Sequence, residues 1–170
     1  MRIELLQAIA TFEWRTCALN QPEHMALIRR STAVWKGTGK EGSGQVTSTS
    51  GVLQDTPYSF TTRFVSEDGK AGTNPEELVA AAHASCFAMK LSFILDAAGS
   101  TADELQCIAN VKLDKVGDGK GVVGIHLDVV GKVKGISAED FQRCAEEARA
   151  NCPISQLLKA VPITMTATLG

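Results

Sequence analysis

The feature that most constrains this chain is one long helix whose apolar residues point in every direction. Asn74 is a good helix cap, Pro75 suits the first helical position, and Glu77 lies where it can close a capping box. Gly99 is a natural left-handed stop, so the spacing predicts a helix from Pro75 to about Ala98. Along it Leu78, Val79, Ala82, Cys86, Phe87, Met89, Leu91, Phe93, Ile94 and Leu95 cover nearly the whole circumference. A helix apolar all round belongs at the centre of a fold, with other elements on several sides.

The flanking segments read mainly as strands. Ile28–Trp35 and Gln45–Thr49, joined by the Gly37–Gly44 link, predict a hairpin. Tyr58–Phe64 alternates aromatic and polar residues and predicts a third strand. Phe60 and Phe64 would lie on one face, Thr61 and Arg63 on the other. After the helix, Leu105–Val116 and Val122–Val133 form a second hairpin about Asp118-Gly119, with His126 facing outward. Ser137, with Asp140 three residues on, caps a helix to about Ala150. Pro153 opens a short helix ending near Lys159, and Ile163–Leu169 closes as a strand. The order βββ-α-ββ-α-α-β, without regular alternation, predicts an α+β fold with an antiparallel sheet. Residues 1–24 differ in character from the domain at 25–170. They read either as an extension upstream of a start at Met25, or as an extra helix or strand packed on the domain.

Net charge is −2, from 17 basic and 19 acidic residues, which gives no basis for nucleic-acid binding. No apolar run is expected to approach the ~20 residues of a membrane span. Glu4 stands where a secretory signal would carry basic residues, so the expected compartment is the reducing cytoplasm. There are five cysteines and no Cys-x-x-Cys pair. His83 and Cys86 have ligand spacing, but no second pair accompanies them, so no metal site is expected. Cys107 and Cys144 read as packing residues.

Two thiols stand apart. Cys86 lies about three turns into its helix, so the helix start does little for it and a thiolate there needs a cation: His83, Lys90 or Arg63. Cys152 precedes Pro153 and occupies a cap-like position where free N–H groups favour a thiolate.

Several separated motifs then agree in order. Gly72-Thr73-Asn74-Pro75-Glu76-Glu77-Leu78, Ala81-Ala82-His83-Ala84-Ser85-Cys86-Phe87, Val111-Lys112-Leu113-Asp114-Lys115-Val116 and Cys152-Pro153-Ile154-Ser155-Gln156 resemble the osmotically inducible protein C / organic hydroperoxide resistance family (OsmC/Ohr). Ser50-Gly51-Val52-Leu53, Pro57-Tyr58-Ser59-Phe60 and Thr62-Arg63-Phe64 resemble its osmotically inducible branch. The resemblance runs from about Ala33 to the C-terminus. It implies a cysteine-based peroxidase for organic hydroperoxides, built as an intertwined homodimer with active sites at the subunit interface and sheets wrapped around central helices. It also implies Cys86 as the peroxidatic thiol, Cys152 as the resolving thiol, Arg63 as the partner of the thiolate and Glu76 as the carboxylate that holds Arg63. An external dithiol, such as a lipoyl-bearing protein, would be the reductant; no cofactor is implied. Lys90 departs from the family pattern, and residues 1–24 have no counterpart in it. Two rival functions are a thiol hydrolase using Cys86 with His83, and a non-catalytic stress-protection dimer.

Overall fold

The computed structural model of the chain describes residues 26–66 and 69–170. Two units are distinguished, Met1–Arg30 and Ser31–Gly170. The described part of the first, residues 26–30, has no regular secondary structure. The expectations for residues 1–24 and for Met25 lie outside the described residues. All elements below belong to the second unit.

Strands β1 (Ser31–Lys36), β2 (Ser43–Ser48) and β3 (Thr56–Ser59) form an antiparallel sheet in that order. The expected first hairpin is present, with its first strand starting at Ser31 rather than Ile28. All six residues of β1 are exposed, Val34 and Trp35 included.

The third strand is shorter than its alternation suggested. It ends at Ser59, and Phe60–Phe64 is a single helical turn, α1. Local capping decides this. Ser59 Oγ accepts from the Thr62 N–H at 3.1 Å, and Thr62 Oγ1 accepts from the Ser59 N–H at 2.8 Å. These reciprocal bonds satisfy the free donors of a helix start more cheaply than an unpaired sheet edge would. Phe60 and Phe64 still share a face, their ring centroids 4.8 Å apart, because four residues of helix return to the same side.

Helix α2 spans Pro75–Ala97. Asn74 Oδ1 accepts from the Glu77 N–H at 2.9 Å. The capping box stays half-made, because the Glu77 carboxylate takes the Thr73 hydroxyl at 2.7 Å instead. Gly99 follows in the left-handed conformation, φ +80°. At 23 residues α2 is, by length and composition, apolar enough to cross a membrane, contrary to the sequence expectation. One of its faces is packed in the protein core.

Strands β4 (Ala102–Val116) and β5 (Gly119–Val133) form a long antiparallel hairpin. The turn is Gly117-Asp118, one residue earlier than expected, since Gly119 pairs with Val116. Helix α3 (Ala138–Asn151) begins on Ser137, whose Oγ accepts from the Asp140 N–H. Helix α4 covers Pro153–Leu157, and β6 covers Ile163–Leu169. β6 lies parallel to β5, so the second sheet, β4-β5-β6, is mixed and not wholly antiparallel. The reason is the crossover: parallel neighbours need a connection of a dozen or more residues, and α3 with α4 supplies one.

The core lies between this sheet and the helices. His83, Phe87, Leu91 and Leu95 recur every four residues and bury one stripe of α2. Ile125, Leu127, Val129 and Val133 of β5 and Phe141, Cys144, Ala145 and Ala148 of α3 complete it. Each large side chain so buried contributes about 1.5–3 kcal/mol relative to exposure. Gly131 is required here, because any Cβ would collide with the Phe141 ring.

Candidate active site

The α2, α3 and α4 segments bring the two singled-out thiols together. Cys152 terminates α3 and stands at the N-cap position of α4, but its side chain takes no cap hydrogen bond, contrary to the sequence expectation; it is fully buried, and its own N–H bonds to Ala148 O at 2.8 Å. Its Sγ donates to Cys86 Sγ at 3.3 Å. Both thiols are free, as are Cys107 and Cys144. Cys86 is half-buried. Burial pushes its thiol up; a hydrogen bond from the Ile154 N–H pulls it down, and the hydrogen bond and charge of Cys152 push it up again. Net, the thiol sits above its ordinary value of 9.0.

A second pair forms at the start of α2. Arg63 Nε and Nη2 grip the Glu76 carboxylate at 3.1 and 2.6 Å. Two-point contact of this kind fixes the guanidinium plane. Burial of Glu76 opposes ionisation, but the Arg63 hydrogen bond, a backbone N–H and the Arg63 charge outweigh it, and its carboxyl lies below the usual 4.5. The local sequence builds this geometry. Thr62 Oγ1 also reaches Thr73 O at 3.1 Å, tying α1 to the residue before the α2 cap. Gly72 permits that approach, because a side chain there would strike Pro57 O and Thr62. Arg63 therefore stands on a helical turn, not on the expected strand.

The two pairs are separate within one chain. Glu76 is in the first turn of α2 and Cys86 ten residues later, about 15 Å along the axis at ~1.5 Å per residue. Arg63 is not among the groups that shift the Cys86 thiol. Lys90 is half-buried on the same helix.

Three features were not anticipated from the sequence. Phe64 carries a cation on its ring from Arg63, at 4.9 Å, and another from Lys120 of the β4–β5 hairpin, at 4.7 Å. The Ile154 N–H reaches Cys86, which the cap-like position of Cys152 could have suggested. His83 hydrogen-bonds Ser155 across the same helix junction, a contact no spacing rule would find.

A half-buried thiol in contact with a buried second thiol at a helix start has the geometry that dithiol chemistry requires. The chain belongs to the OsmC family: the family model described as OsmC-like protein matches residues 67–166. It is 46% identical over 136 residues to Peroxiredoxin OsmC of Escherichia coli strain K12, covering 80% of this chain and 93% of that protein. It is 30% identical over 123 residues to organic hydroperoxide resistance protein OhrB of Bacillus subtilis strain 168, covering 71% and 86%. The crystal structure of B. subtilis OhrB superposes with a TM-score of 0.60 at 25% identity, covering 82% of this chain and 98% of that one. The OsmC/Ohr, α+β fold expected from the motifs is the fold observed.

Proposed function

We propose that this chain is a cysteine-based peroxidase that reduces organic hydroperoxides to alcohols, and hydrogen peroxide more weakly, in the response to oxidative or osmotic stress. The observation that carries it is the 3.3 Å contact between Cys86 and Cys152. The Cys86 thiolate attacks the outer oxygen of ROOH and breaks the O–O bond, giving Cys86–SOH and an alkoxide that takes up the thiol's proton as ROH. Cys152 then attacks the sulfenic sulfur; the S–O bond breaks, water leaves, and a Cys86–Cys152 disulfide remains. An external dithiol, a lipoyl-bearing protein being the type favoured, reduces the disulfide and is itself oxidised. Each step closes on thiols, peroxide and water, without a metal or cofactor. Free cysteines among the described residues suit the cytoplasm.

The chemistry needs positive charge at Cys86, and a homodimer supplies it. Ala82, Met89 and Phe93 stand four residues before, three after and seven after Cys86, and so share its helix face. Met89 and Phe93 are 62% and 65% exposed, an apolar strip left open in one chain. A partner α2 packed on this strip covers Cys86 as well. In this reading the partner protomer brings its own Arg63–Glu76 pair to the thiol, where the guanidinium lowers the thiol pKa and stabilises charge on the departing oxygen. Rapid mixing of reduced protein with cumene hydroperoxide and with hydrogen peroxide, followed by disulfide mapping, tests the proposal. Failure to consume the organic hydroperoxide would sink it in favour of a non-catalytic role, and a Cys86–Cys107 or Cys86–Cys144 bridge would displace Cys152.

A further inference from the structure

His83 and Ser155 form a polar pair that the thiol chemistry does not itself use. His83 is on α2, three residues before Cys86; Ser155 is on α4, three residues after Cys152. His83 is completely buried and Ser155 nearly so. His83 Nε2 and Ser155 Oγ lie 2.9 Å apart. The other ring nitrogen, Nδ1, is buried without a hydrogen-bond partner among the described residues. An unpaired buried nitrogen is a cost that a leucine of similar size would avoid. What the imidazole adds is one hydrogen bond, and that bond ends on the helix whose cap is Cys152.

Helix α4 has only five residues and is too short to hold itself in place. Its first turn meets α2 through two hydrogen bonds: Ile154 N–H to Cys86, and Ser155 to His83. The first depends on the state of the Cys86 sulfur and weakens once oxidation turns the charged thiolate into a neutral sulfenic sulfur. The second is independent of that sulfur. Closing the disulfide shortens the sulfur separation from 3.3 Å to about 2 Å, so Cys152 must stay opposite Cys86 while the first bond fails. We infer that the His83–Ser155 hydrogen bond is the positioning device that keeps Cys152 in range of oxidised Cys86, so that the sulfenic acid closes to a disulfide before a second peroxide reaches it. This rests on the two-thiol peroxidase reading above.

The test uses the full chain, with Ser155→Ala and His83→Leu removing the bond from either side and Ser155→Thr keeping the hydroxyl. In a glutathione redox buffer, Cys86 bound to glutathione is attacked by Cys152, which releases glutathione and forms the Cys86–Cys152 disulfide. Peptide mapping then gives the effective concentration of Cys152. Removing the bond should lower it roughly tenfold, and Ser155→Thr should restore it. In a single turnover with cumene hydroperoxide, sulfenic acid should form at the unsubstituted rate, close roughly tenfold more slowly, and pass further to sulfinic acid. A purely structural role would lower thermal stability and leave these rates unchanged, which overturns the inference. If the substituted chains do not fold, amide exchange of Gln156 and Leu158 in the unsubstituted protein decides. Protection supports a held α4, and open-chain exchange overturns it. Unsubstituted protein that is inert to peroxide but forms the disulfide normally in glutathione would sink the peroxidase reading alone.

Discussion

Cys152 Sγ lies 3.3 Å from Cys86 Sγ across 66 residues of sequence, one sulfur buried at a helix cap and the other half-buried in mid-helix. Cys152→Ser should therefore separate the two halves of the cycle. One equivalent of organic hydroperoxide should still be consumed at about the normal rate, while dithiol-driven turnover should fall to a few per cent or less. Intact mass should show Cys86 held as sulfenic or sulfinic acid. A thiol hydrolase would be indifferent to this substitution.

The Arg63–Glu76 pair makes a second prediction. Arg63→Met should lower the second-order rate with cumene hydroperoxide by about 10²–10³, the usual loss for a preorganised charge at a developing anion. Glu76→Gln should produce a smaller loss in the same constant. Since the Glu76 carboxyl is held below 4.5, its contribution to stability is complete above that value. It is lost as the pH falls from there through the lowered value, so acid titration of stability in Glu76→Gln should lack this component.

His83 loses its contribution on acidification as Glu76 does, but for the opposite reason: the fold favours its neutral form. Burial holds its imidazole below the ordinary 6.5, so the folded chain keeps it neutral while the unfolded chain takes up a proton. Its contribution to stability is full above 6.5 and is lost as the pH falls from there through the folded value. Chemical denaturation between pH 7.5 and 5 should show this loss in the unsubstituted protein and not in His83→Leu.

Cys107 should be the slow thiol. Burial first, then the charges of Cys152 and Asp128, push it up to about 11. At pH 8 roughly a thousandth of it is thiolate. Iodoacetamide should label Cys86 well before Cys107 in the native protein, and the difference should vanish in urea. Rapid native labelling of Cys107 would contradict its half-buried place against the core.

Phe93 tests the proposed dimer. It is 65% exposed and lies on the Cys86 face of α2. Phe93→Glu should reduce the mass measured by light scattering from two chains to one, and peroxidase activity should fall with it. A monomer with full activity would show that Cys86 needs no partner.

Much of this protein was legible in its residues. The Asn74-capped helix, its stop at Gly99, the Ser137-capped α3 and the final strand Ile163–Leu169 depend on local rules, and all were placed correctly. The stretch Tyr58–Phe64 misled, because its alternation fits a strand while reciprocal Ser59–Thr62 capping favours a helical turn. The parallel β5–β6 pairing was also missed, since side-chain alternation looks the same for either strand direction.

What the sequence determined by itself was the set of parts: two thiols each in a helix context, an arginine and a first-turn carboxylate paired only by the family resemblance, and a helix too apolar to stand uncovered. What only the tertiary structure decided was which parts meet. It brought Cys86 to Cys152, bound Arg63 to Glu76 and joined His83 to Ser155, but kept the first two pairs apart along α2. The physical reason is range. Caps, turns and periodicity act over a few residues, whereas contacts across 66 or 72 residues depend on how the crossover through α3 and α4 packs against α2.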